Sequence, residues 1–219
     1  MRTIIFAAAA LTATFAAPAQ AATVVDAIGD FLPSYTAGPR LADLDVASFS
    51  VNYSNVGQFF TLGAVLAGDI DPTTAGIYVI GVNTGTGTIR PFASIGQGNV
   101  IFNQAITLRK DGTGSIGATV LDPNLISIAG NIITARIALS LLPSTGFTPE
   151  QYGFNLWPRI GTGNNNQITD FAPENATLAA GAVPEPATWA TMLLGMLVAG
   201  LVLRRRSRAL EMQPAQHLK

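Results

Sequence analysis

The sequence has no cysteine and a single histidine, His217. The first absence excludes disulfides, thiolate metal sites and a cysteine nucleophile. The second removes a Ser-His-Asp triad and any zinc centre built on histidines. Charge is scarce as well, at 11% Asp, Glu, Lys and Arg against about 25% in an average soluble domain. Disorder is not the cause, because 48% of the residues are hydrophobic and disordered chains are poor in them. The 22 glycines and 13 prolines show no Gly-X-Y period, so they signal turns rather than a collagen helix. The phosphate-loop pattern G-x-x-x-x-G-K-[ST] is missing, and Gly85-Thr86-Gly87 is explained by a turn.

What is present divides into two terminal signals and a middle. At the N-terminus, Arg2 gives a minimal positive region and Ile4 to Phe15 an apolar one. Ala19-Gln20-Ala21 then has the small-x-small pattern of a signal-peptidase site, so residues 1–21 are expected to be a signal peptide and Ala22 the mature start. Near the other end an uncharged apolar run, Ala187 to Leu203, is followed by Arg204, Arg205, Arg206 and Arg208. The run is long enough for one membrane-spanning helix, and the arginines would hold its C-terminal end in the cytoplasm. Val183-Pro184-Glu185-Pro186 precedes it. Two prolines around a glutamate cannot continue a helix or enter a sheet interior, so this stretch is expected to be extended and open to a processing enzyme.

Pro184-Glu185-Pro186, the apolar span with Gly195 and Gly200, and the Arg204–Arg206 cluster resemble in that order the PEP-CTERM sorting signal of Gram-negative bacteria. The resemblance implies export, transient anchoring in the inner membrane, and processing by an exosortase, a membrane protease-like enzyme that releases its substrates toward the cell surface or exopolysaccharide. The signal would occupy 183–208, leaving 209–219 as a cytoplasmic tail.

The middle, 22–182, has the size of one domain. It holds eleven acidic and six basic residues, which argues against nucleic acid as a partner. Its apolar pattern predicts strands over Val46–Tyr53, Phe59–Leu66, Ile77–Val82, Val100–Phe102, Ile106–Leu108, Leu125–Ile128, Ile132–Leu139 and Tyr152–Trp157. Thr84-Gly85-Thr86-Gly87 and Ala129-Gly130-Asn131 are expected to be hairpin turns. Short strands with frequent turns predict an all-β antiparallel sandwich, jelly-roll or immunoglobulin-like. Asp26-Ala27-Ile28-Gly29-Asp30 followed by Ala42-Asp43-Leu44-Asp45-Val46 resembles the opening of DOMON-like and family 9 carbohydrate-binding-like sandwiches. That resemblance implies a ligand-binding or adhesive module, in some members with structural calcium. Its haem-binding members use Met and His, which the middle lacks.

Two chemistries remain open to the middle. One is a carboxylate pair for glycoside hydrolysis, drawn from Asp43/Asp45 or Asp69/Asp71, each pair sharing a face if placed on a strand. The other is a calcium site from Asp26, Asp30, Asp43 and Asp45, since hard cations take several oxygen ligands; the same aspartates also suit plain turn and edge positions. Trp157 beside Pro158-Arg159 is either core or a sugar-stacking platform. The paucity of catalytic residue types favours a non-enzymatic protein without a cofactor, calcium aside. Its expected partners are signal peptidase, exosortase, the inner membrane and exopolysaccharide.

Overall fold

A computed structural model describes residues 21–182 and a short helical stretch at 194–197. Ala19, Pro184, Glu185, Pro186, Arg204, Arg205 and Arg206, with nearly all of both expected membrane-targeting segments and the 209–219 tail, lie outside the described residues. The strands in chain order are β1 Ala22–Val25, β2 Val46–Ser54, β3 Phe59–Leu66, β4 Ile77–Asn83, β5 Gln104–Arg109, β6 Gly114–Ile116, β7 Thr119–Val120, β8 Ile126–Ala129, β9 Ile132–Ala138, β10 Gly153–Arg159, β11 Leu178–Ala179 and β12 Gly181–Ala182. The connections within 21–182 contain only 3-10 turns as helical elements.

Two sheets result. One has the order β1-β2-β3-β9-β8, and the other β11-β10-β4-β5-β6-β7. All these pairs are antiparallel; the exception is β12, which runs parallel to β2. The mostly antiparallel, all-β expectation is met by the described residues.

Alternation explains the strands of the first sheet. Phe60, Leu62, Ala64 and Leu66 of β3 point inward, as do Ile133, Ala135 and Ile137 of β9. In β2 the register shifts between Val46 and Ser48. This bulge puts Val46 and Phe49, three positions apart, on the same buried side. Tyr78, Ile80 and Val82 of β4, Ile106 and Leu108 of β5, and Phe154 and Leu156 of β10 meet them in one shared core. Phe60 sits among aromatic rings, with centroids 5.0 Å from Tyr53, 5.5 Å from Tyr152 and 5.1 Å from Phe154.

β10 departs from alternation, being buried at every position. Its second face is covered by a separate apolar cluster: Leu32, Tyr35, Val79, Phe92, Val100, Trp157, Ile168 and Phe171. This outer layer corrects one expectation and decides between two alternatives. Val100–Phe102 is not a strand; Val100 fills the cluster and Phe102 packs against Trp157 at 4.9 Å. Trp157 is 2% exposed and lies 5.1 Å from Phe92 in an edge-on arrangement, so it is core and offers no stacking platform.

The Gly130 turn joins β8 to β9, with Ala129 opposite Ile132 and a left-handed φ of 59° at Gly130. Thr84 to Gly87 is not a tight hairpin. It begins the 84–103 connection, and the Thr84 carbonyl accepts from the Thr145 and Phe147 amides instead.

Both ends of the domain lie on one edge of β2. Ala22 pairs with Val51, and Gly181 pairs with Asn52. The expected mature N-terminus and the residue that leads into the Pro-Glu-Pro segment are therefore neighbours.

Candidate functional site

The aspartates singled out near the N-terminus divide between two environments. Ala42–Leu44 is a 3-10 turn with Asp45 at its C-terminal cap, so Asp43 and Asp45 are not strand positions sharing a face. Asp43 is buried and its Oδ2 accepts from Lys110 Nζ at 2.5 Å and from the Asp71 amide at 3.1 Å. Lys110 also donates to Thr74 Oγ1, and Tyr78 Oη donates to the Asp43 carbonyl at 2.9 Å. Asp43 thus serves a buried ion pair that ties the 3-10 turn to the end of β5, and it does not join the other expected calcium ligands.

Asp45 turns to the chain's beginning. After β1 the Asp26 amide donates to the Ala47 carbonyl, and Gly29 takes a φ of 90°. A side chain is strained at that φ, so glycine suits this position. The reversal brings the Gly29 amide 2.8 Å from Asp45 Oδ2 and places Asp30 beside it. One carboxylate oxygen each from Asp30, Asp45 and Asp170 lie within 4.8 Å of one another. Asp170 arrives from the strap after β10. Its Oδ2 accepts from the Val46 amide at 2.8 Å and its Oδ1 from the Phe171 amide at 2.7 Å. Its neighbour Thr169 fixes that strap, with Oγ1 within hydrogen-bond distance of the Leu44 and Pro158 carbonyls. Asp170 is the member that sequence reasoning missed.

These carboxylates are poorly matched to their surroundings. Asp45 is 3% and Asp170 1% exposed. Asp45 Oδ1, Asp30 Oδ1 and Asp26 Oδ2 are buried oxygens with no hydrogen-bond partner. Among the described residues the one ion pair joins Lys110 to Asp43, so no base neutralises the group. Burial first, then the charges of Asp26 and Asp30, push Asp170 up to about 8. Burial first, then the charges of Asp30, Glu174 and Asp45, push Asp26 up to about 6. Burial and Asp30 also raise Asp45. An all-oxygen donor set of this kind suits a hard cation.

The other acidic pair is different. Asp69 and Asp71 are exposed, and Asp71 Oδ1 accepts from Thr73 N at 2.8 Å and Oγ1 at 2.6 Å. These bonds hold its carboxyl below the ordinary range, the wrong direction for a general acid.

The family model of the PEP-CTERM protein-sorting motif matches residues 182–206. The chain carries that signal, with Pro184-Glu185-Pro186 and Arg204–Arg206 inside it. It marks an exosortase substrate, exported and held at the membrane until processed. No curated protein and no solved structure matches the chain, and the DOMON-like resemblance has no support from these comparisons. No helix among the described residues is long and apolar enough to cross a membrane; the Ala187–Leu203 run lies mostly outside them.

Proposed function

We propose that the protein is a non-catalytic component of the cell envelope or exopolysaccharide matrix, in which residues 22–182 form a β-sandwich module that binds polysaccharide. The observation that carries the reading is the sorting motif at 182–206, because it directs a substrate to the compartment where such a module works. Cleavage after Ala21 would start the mature chain at the first residue of β1, and the Ala187–Leu203 run would anchor it until exosortase acts.

The carboxylates favour binding over the alternative of a small secreted glycosidase. Such enzymes set two carboxyl groups on either side of an accessible bond, one of them kept protonated. Here Asp45 and Asp170 are buried and closed to a sugar ring, while exposed Asp71 is held ionised by Thr73.

The test uses cells with and without exosortase. Fractionation should place the protein at the surface or in the matrix in the first and at the inner membrane in the second. The released protein should then co-sediment with the host's purified exopolysaccharide. Release of reducing sugar from a panel of glycosidase substrates would establish the hydrolase instead.

A further inference from the structure

We propose that Asp30, Asp45 and Asp170, with Asp26 beside them, form a binding site for one divalent cation of the hard, oxygen-seeking class, calcium above all. Three features together support a ligand rather than a chance meeting of acids. The three carboxylates converge within 4.8 Å. Asp45 is 97% buried by its 3% exposure, yet keeps Oδ1 without a partner, and buried oxygens of Asp26 and Asp30 are likewise unpaired. Such groups are costly to bury unless a charge or donor meets them, and among the described residues no basic side chain forms an ion pair with them.

The geometry is also prepared before any ion arrives. Gly29 N holds Asp45, while Val46 N and Phe171 N hold Asp170, so the oxygens do not need to be gathered from mobile side chains. Asp26 and Asp30 come from a loop, which suits the flexible coordination of calcium better than the strict octahedron of magnesium. Zinc prefers nitrogen and sulfur ligands, which are absent here.

The ion would act as a staple. It would join the segment after β1 to the start of β2 and to the strap after β10, three parts of a chain that has no cysteine to cross-link them. The site does not depend on sorting, and its test is separate.

Calcium binding is measured by calorimetry on the full-length protein in detergent after chelation, with magnesium as control. One calcium per chain is expected, with a dissociation constant at or below about 10⁻³ M, the range of extracellular modules. At a hundredfold excess over that constant the melting temperature should rise by about 5–10 °C. Asp45→Asn and Asp30→Asn should each weaken binding at least about tenfold, while Asp69→Asn on the exposed turn should bind like the parent. In chelator Asp45→Asn should melt at or above the parent temperature, because it removes a repelling charge; in calcium it should melt below. A merely structural Asp45 would lower both. A folded parent that shows no saturable calcium binding would overturn the proposal. So would Asp45→Asn and Asp30→Asn proteins that bind calcium as tightly as the parent.

Discussion

Asp43 and Asp45 flank Leu44 and meet different partners: Asp43 Oδ2 takes Lys110 Nζ at 2.5 Å, whereas Asp45 Oδ2 takes the Gly29 amide at 2.8 Å. One carboxylate is therefore neutralised by a buried cation of the protein, and the other is left among acids. The 3-10 turn between them is the cause, since it turns the two side chains away from the common face a strand would give them.

Lys110→Ala should destabilise the domain by about 3–5 kcal/mol, because it leaves the Asp43 carboxylate buried and unpaired. Lys110→Met combined with Asp43→Leu should recover most of that loss. Denaturant unfolding of the single and double variants checks this; equal losses in both would show that packing, not the charge pair, is at stake.

Trp157→Ala should cost about 3–5 kcal/mol, the usual result of truncating a buried aromatic residue. Its ring is enclosed by Phe92, Phe102 and Phe171. Polysaccharide binding by the protein that remains folded should match the parent. A stable variant with lost binding would restore the platform reading.

Asp71 and Asp111 occupy matching turns. Asp111 Oδ1 accepts from Thr113 N at 2.9 Å and Oγ1 at 2.7 Å, as Asp71 does from Thr73. The threonine hydroxyls, then the amides, hold both carboxyls below the ordinary 3.8. A depressed folded value means the stabilisation is complete above 3.8 and is lost as pH falls through the folded value. Carboxylate titration by NMR should place both below 3.8, and Thr113→Val should raise Asp111 alone.

The legible part of the fold was the part with a period. β3 and β9 alternate cleanly over Phe60–Leu66 and Ile133–Ile137, and their bounds follow the apolar pattern. The outer layer has no period, because Leu32, Tyr35, Phe92 and Phe171 come from connections rather than strands. That is why Val100–Phe102 resembled a strand and why the sequence left Trp157 open between core and platform. β6 and β7 were missed because Gly114-Ser115-Ile116 and Thr119-Val120 are too short to show alternation. At the candidate site Asp26, Asp30 and Asp45 stood out as a local cluster. Asp170 did not, since it reaches Val46 from 124 positions away and nothing local marks Thr169-Asp170-Phe171.

Glu185→Ala should leave export intact and block release, since the apolar run and Arg204–Arg206 are unchanged. In exosortase-containing cells the variant should stay in the inner membrane fraction at full mature length. Normal release of the variant would show that Glu185 is not needed by the processing enzyme.

Top-down mass spectrometry of the protein recovered from the surface of exosortase-containing cells tests the central claim most directly. The chain is predicted to begin at Ala22 and to end before the apolar run Ala187–Leu203, so the fragment ions should contain none of Arg204–Lys219. A surface species that still carries those residues would contradict sorting through this signal.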